Sequence, residues 1–164
     1  MNDNSLKKGV SFISQGDIFA IENVKSFAHG CNCAGAMGKG IALQFKQKFP
    51  EMYQQYRHLC LAGKFKPGDI FDYKYSEGHI YNLGTQETWR TNAKIEYITE
   101  ALNKMLIAAE KDYVSAIAMP AIGAGLGGLD WKDVRAAIND CARYHPTVFL
   151  YVVESYKKGT VCIP

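Results

Sequence analysis

Six short apolar runs alternate with longer amphipathic segments along this chain, and the two kinds of segment have different periods. The runs at residues 10–15, 26–32, 69–75, 79–84, 115–121 and 147–153 are rich in β-branched and aromatic residues, the composition of strands on a packed, pleated surface. Between them, apolar residues recur every three or four positions. Residues 40–49 lead through Pro50 into a second such stretch that stops at Gly63, and residues 94–111 and 130–144 follow; each has the period of a helix that buries one face. Asp130 is a natural N-cap for the last of these, and Asp133 stands at the third helical position, as in a capping box. Strands alternating with helices predict an α/β sandwich around a largely parallel sheet. Ser76-Glu77-Gly78, set between two strand patterns, adds one hairpin and makes the sheet mixed.

Composition keeps this picture to one domain. A chain of 164 residues, 48% hydrophobic and with charges of both signs well mixed, can build one sizeable core. No repeat, low-complexity tract or linker divides it, so residues 1–164 read as a single domain. The net charge of +3 is too small and too scattered to mark a nucleic-acid-binding face. The opening MNDNSLKKGV holds no apolar run of signal-peptide length, and no segment approaches the ~20 apolar residues of a bilayer span. The expectation is a soluble cytoplasmic protein with no membrane partner. Five cysteines at irregular spacing read as reduced thiols rather than a disulfide framework.

The candidate chemistry lies in two glycine-rich stretches. Gly35, Gly38 and Gly40 follow a strand and open a helix, and GAGLGG at residues 123–128 does the same later in the chain. Glycine lets backbone approach a ligand closely, and free N–H groups at a helix start favour phosphate. Two such loops facing each other would clamp a diphosphate. GAGLGG matches the dinucleotide fingerprint only formally, because that motif wants an acidic residue ~20 positions on, and Glu154 comes later. A hydride-transferring oxidoreductase is therefore the third choice. MGKGIA lacks the Ser or Thr after Gly-Lys that a P-loop uses for Mg²⁺. His29, Cys31 and Cys33 would share one face of a strand, yet zinc needs three or four convergent ligands, and the expectation is no metal and no cofactor.

Four stretches together, QGDIF (residues 15–19), HGCNCAGAMGKGIALQFKQKFP (29–50), IYNLGTQ (80–86) and MPAIGAGLGGLDW (119–131), resemble a macrodomain. Within that superfamily they are similar to the branch holding the terminal ADP-ribose protein glycohydrolase and the antitoxins that strip ADP-ribose from DNA. The resemblance implies a three-layer α/β/α sandwich with a six-stranded mixed sheet and an ADP-ribose cleft at its crest. It further implies that Asp17 accepts the adenine amine, with the Ile18 N–H aimed at the ring; Asp17 as a plain helix N-cap is the rival reading. Backbone donors to the diphosphate would come from Met37, Gly38, Gly40, Ile41 and Ala42, and from Ile122, Gly123, Gly125, Leu126 and Gly127. Asn32 and Thr85 would face the distal ribose, and Tyr156 would stack on adenine.

Catalysis departs from the relatives. Glycohydrolases of this branch carry a lysine where Gln86 stands, and the aspartate of the protein-directed enzyme aligns with Gly127; the DNA-directed antitoxins resemble GLGGLDW as it stands. Candidates left for hydrolysis are His29 as acid or base, Asn32 holding water, and Lys39 as a phosphate-pairing cation. The expected function is removal of ADP-ribose from modified macromolecules, favoured by a compact domain with no partner module to deliver. The alternatives are a non-catalytic ADP-ribose reader and an ADP-ribose-1″-phosphate phosphatase. The expected partners are ADP-ribose or ADP-ribosylated protein or nucleic acid, and a monomer is favoured.

Overall fold

A computed structural model describes residues 9–160. All six apolar runs form strands: β1 (Val10–Ile13), β2 (Phe27–Asn32), β3 (Ile70–Lys74), β4 (His79–Gln86), β5 (Ala116–Pro120) and β6 (Phe149–Val153). They make one sheet in the order β1-β6-β5-β2-β4-β3. Every pairing is parallel except β3 with β4, the hairpin whose turn is closed by Tyr75 N–H donating to Gly78 O at 3.0 Å.

Four helices cover the sheet: α1 (Gly40–Lys48), α2 (Pro50–Leu61), α3 (Ile95–Lys111) and α4 (Trp131–Arg143). The stretch read as continuing through Pro50 is broken at Phe49, whose φ of −130° and ψ of 68° leave the helical region. The pyrrolidine ring excludes the preceding residue from helical geometry, and Pro50 itself starts the next helix. Asp130 caps α4 by accepting the Lys132 N–H at 2.9 Å, and Asp133 adds a carboxylate to the first turn, where the helix dipole favours it.

Strand alternation sorts the core into two halves. Tyr81, Leu83, Ile117, Met119, Leu150 and Val152 pack against α3 and α4; Phe27, Cys31, Ile80 and Ala118 pack against Phe45 of α1 and Met52 and Tyr56 of α2. The result is three layers, helices on both faces of a mixed sheet. No helix among the described residues is long and apolar enough to cross a membrane.

Strand order positions the site. The chain leaves β2 through α1 and α2 toward β3, and leaves β5 through α4 toward β6 on the other side. β2 and β5 are neighbours, so their following loops diverge and open a crevice beyond the carboxyl ends of the strands. Both glycine-rich stretches are these loops.

Candidate active site

The crevice is a cleft of about 630 Å³, floored by Gly30, Cys31 and Asn32 and walled by residues 36–42 on one side and by residues 120–124, Leu126 and Gly127 on the other. Thr85, Gln86 and Trp89 close one end. At the other end a smaller arm of about 240 Å³, sharing Ile41, Pro120, Ala121 and Ala124 with the main cleft, is lined by Gly16, Ile18, Gly125, Val153, Glu154 and Tyr156.

Asn32 builds the first wall. Its Oδ1 accepts from the backbone N–H groups of Ala34 (3.0 Å) and Ala36 (3.3 Å) and from the Tyr56 hydroxyl (3.0 Å), while its Nδ2 donates to Ala36 O (2.8 Å). The loop after β2 is thus folded around one side chain. Met37 is buried beneath it, and Gly38, Lys39 and Gly40 are exposed along its crest. The second wall rests on glycine backbone. Gly123 and Gly125 have φ of +74° and +61°, values that L side chains rarely adopt. Leu129 N–H donating to Gly123 O at 2.9 Å closes the turn.

A register shift between Cys31 and Asn32 pairs Cys31 with Gly84 and Asn32 with Gln86, leaving Thr85 as the extra residue in β4. Such a bulge re-aims a side chain. The Thr85 hydroxyl, buried, donates to Cys31 O at 3.4 Å and lines the cleft. Next to it, Gln86 Nε2 donates to Thr88 O (2.8 Å) and Thr91 O (3.0 Å). This anchors the amide nitrogen in the following loop and leaves Oε1 3.7 Å from where a Cβ on Gly127 would stand.

Asp17 is at the edge of the small arm, between the two lining residues Gly16 and Ile18. Its Oδ1 accepts the Phe19 N–H at 2.9 Å, capping the 3₁₀ turn Ile18–Ala20, and its Oδ2 accepts the Gly159 N–H at 3.0 Å. The capping role weighed against adenine recognition is therefore present in the structure. Tyr156, exposed, lines the same arm, and Glu154 accepts from Trp131 Nε1 at 2.6 Å.

His29 is not in the cleft. It lies on the α1/α2 face of β2, fully buried, stacked on Phe45 with ring centroids 4.0 Å apart. Its Nε2–H donates to Asn82 Oδ1 at 2.7 Å, the tautomer set by Asn82 Nδ2 donating to Phe71 O at 3.1 Å. Burial lowers its pKa to about 4, against the smaller opposing effect of the Asn82 bond. A neutral, enclosed imidazole cannot serve as acid or base for a cleft ligand, so this expectation is corrected. Nor do the three strand-face donors converge. Cys31 Sγ is 3.5 Å from His29 Nε2, but Cys33 lies beyond the strand, its N–H donating to Gln86 O. Burial pushes the Cys31 thiol well above its ordinary range, which removes it as a nucleophile.

Residues 28–138 match the model of the Macro domain family. The chain belongs to the macrodomains. A DNA ADP-ribosyl glycohydrolase of Thermus aquaticus is 36% identical over 135 residues, covering 80% of this chain and 38% of that protein. An ADP-ribose 1″-phosphate phosphatase of Candida albicans is 30% identical over 150 residues, covering 83% of this chain and 96% of its own length. Among solved structures, the macrodomain of Mycobacterium tuberculosis DarG superposes with a TM-score of 0.80 at 31% identity, covering 89% of this chain and 99% of that one. The chain thus spans about two-fifths of the Thermus protein but nearly the whole of the DarG macrodomain. The three-layer sandwich and six-stranded mixed sheet expected from the resemblance are those of the macrodomain fold.

Among the cleft residues that sequence reasoning missed, which include Gly30, Pro120, Ala121 and Ala124, Trp89 carries the largest side chain. The residue is 59% exposed at the cleft's end, with the Arg90 guanidinium 4.5 Å from the ring centroid. It sits in a loop without periodicity. The only available signal was its position three residues after Gln86.

Proposed function

We propose that this macrodomain binds ADP-ribose in the two-armed cleft and releases it by hydrolysis at the anomeric carbon of the distal ribose. The observation that carries this reading is the shape: a wide arm between two glycine-rich loops, continuous with a narrow arm flanked by Asp17, Ile18 and Tyr156. The narrow arm takes adenine. Each Asp17 oxygen has a second lone pair beyond its backbone bond, available to the exocyclic amine, and Tyr156 offers a ring face. Backbone N–H groups of residues 37–42 and 123–126, with Lys39, face the diphosphate; those of Ile122 and Gly127, expected as donors, are instead spent within the loop on Pro120 O (2.9 Å) and Ala124 O (3.3 Å).

Asn32 and Thr85 flank the distal ribose. Gln86 cannot form the covalent adduct that an amine forms with an opened ribose, so water attacks directly. The Gln86 amide, anchored through Nε2, presents Oε1 as an acceptor that orients this water, and the substrate's own diphosphate stabilises the positive charge developing on the ribose. Trp89 stands where the leaving group departs, and an exposed indole is a stacking face for a nucleobase. With the Thermus relative named a DNA ADP-ribosyl glycohydrolase, ADP-ribosylated DNA is the first substrate to try. Thiols that are free among the described residues fit the reducing cytoplasm.

A reader without turnover is the second reading, and one observation favours it: no Asp, Glu or His lines the wide arm among the described residues. Product analysis on ADP-ribosylated DNA, acyl-linked protein and ADP-ribose-1″-phosphate separates the two. The hydrolase releases ADP-ribose from the DNA, and borohydride trapping finds no modified lysine. Wild type that binds ADP-ribose but releases none in long incubations, while Gln86→Lys gains turnover, establishes the reader instead.

A further inference from the structure

At the opposite pole of the sheet, a second group of donors converges. Asp72 on β3, His79 at the start of β4 and Asp112, the residue following α3, each bring one ligand atom within 4.8 Å of the others. His79 Nδ1 and Asp72 Oδ1 are already 2.7 Å apart. The group is well separated from the cleft. β4 runs seven residues from His79 to Gln86, roughly 23 Å at about 3.3 Å per residue, and α3 spans the same gap from Ile95 to Asp112.

A separate observation points into this cluster. The Tyr81 hydroxyl is the one buried side-chain oxygen or nitrogen without a hydrogen-bond partner among the described residues. Tyr81 is fully buried and is the cross-strand partner of Asp72. Its ring lies parallel to that of His79, centroids 5.4 Å apart and planes within 6°, so both side chains project from the same face of β4 toward the two carboxylates. Asp72 and Asp112 are the charged groups that act on the phenol. Leaving such a hydroxyl unpaired costs free energy, and two carboxylates beside it add repulsion that a cation relieves.

We propose that Asp72, His79 and Asp112 bind a divalent cation, with the Tyr81 hydroxyl donating to a water that completes its shell. One imidazole nitrogen and two carboxylate oxygens suit zinc better than magnesium or calcium, which take oxygen alone. Exposed Asp112 gives the ion an entry path. The ion would replace the proton shared between His79 and Asp72 and tie the β3–β4 hairpin to the end of α3. The site is structural and independent of the chemistry in the cleft.

The test is calorimetric titration of the full chain with zinc chloride and, in parallel, magnesium chloride. Expected are one zinc ion per chain, affinity at least about tenfold weaker in Asp112→Asn and lost in His79→Gln, and a melting temperature raised roughly 5–10 °C at a hundredfold excess over Kd. Asp112→Asn is a surface change that leaves the metal-free melting temperature and ADP-ribose affinity as in wild type, so it carries the test even if His79→Gln does not fold. Absence of saturable binding overturns the proposal. Equal zinc affinity in wild type and Asp112→Asn also overturns it, because zinc then sits on thiols such as Cys33 and Cys60. Magnesium binding as tightly as zinc removes the imidazole from the site.

Discussion

The two walls of the cleft do the same job with different materials. The loop after β2 is folded around the Asn32 amide, which accepts from Ala34, Ala36 and Tyr56 and donates back to Ala36. The loop after β5 has no such side chain at its centre; left-handed glycines at 123, 125 and 128 and backbone bonds between them shape it. A wall built on one buried amide should fail when that amide is removed. A wall built on backbone conformation should yield by degrees, as single glycines gain a Cβ.

The largest effect is expected from Asn32→Ala. Two backbone donors, Ala34 and Ala36 N–H, lose their acceptor and Ala36 O loses its donor, while Tyr56 keeps the backbone Asn32 O; at about 1 kcal/mol or more for each lost bond the cost is about 3–4 kcal/mol. Urea denaturation measures it. ADP-ribose binding should be lost together with the stability, since residues 34–40 no longer hold their path. Binding that survives Asn32→Ala with only a small stability change would show that the first loop is shaped by other contacts, and the contrast between the walls would go.

Acid should also act on the first side before the second. His29 lies under β2 with a folded pKa of about 4, below its ordinary value of about 6.5. In the unfolded chain His29 takes up a proton as pH falls through about 6.5; in the folded protein it does not until about pH 4. Stability contributed by this group is therefore complete above pH 6.5 and falls as pH drops between those values, by about 1.4 kcal/mol per unit and about 3 kcal/mol in all. His29→Gln keeps a donor for Asn82 and does not titrate. Its stability should be flatter than that of wild type across this window, and parallel curves would place the acid sensitivity elsewhere.

How much of this was legible differs between the walls in the same way. Glycines announce left-handed backbone, so the second loop was readable as a turn, as were the six strands, the Ser76–Gly78 hairpin and the Asp130 cap. The Asn32 network was not readable. An asparagine at a strand end is equally fit to face a ligand or to fold a loop, and its bonds to Ala34, to Ala36 and to Tyr56, 24 residues away, show that it folds the loop. His29 failed for a related reason. Period-two alternation put it on one face with Cys31 but did not say which layer that face meets, and the answer, Phe45, comes from tertiary packing. Thr85 was expected near the ribose, yet the bulge that makes it the extra residue of β4, lining the cleft, leaves no mark in IYNLGTQ.

Glycine substitutions in the second wall divide backbone strain from collision. A Cβ on Gly123 would meet Ile98 Cδ1 at 2.4 Å, whereas one on Gly125 would meet nothing within 4 Å. Gly125→Ala should cost only the left-handed penalty of roughly 1–2 kcal/mol. Gly123→Ala should cost that plus roughly 1–3 kcal/mol of overpacking. Thermal melting of the two variants side by side checks the order. Gly125→Val places branched bulk at the narrow arm and should weaken ADP-ribose binding while the core stays packed; unchanged affinity would put the ligand away from this loop.

The smallest effect tests the first wall from behind. The Tyr56 hydroxyl donates within 2.6 Å of Asn32 O and 3.0 Å of Asn32 Oδ1, and its single proton serves one of them at a time. Tyr56→Phe removes that proton, keeps the ring packed edge-on against Phe65, and opens no cavity. The Asn32 amide still accepts from Ala34 and Ala36 and still donates to Ala36, so the loop keeps three of its ties. The expected loss is about 1 kcal/mol, the net worth of one buried hydrogen bond, with ADP-ribose affinity reduced by less than about tenfold. A loss as large as that of Asn32→Ala would mean that the amide is held in place by the phenol, and that the wall's keystone is Tyr56 on α2 rather than Asn32 at the end of β2.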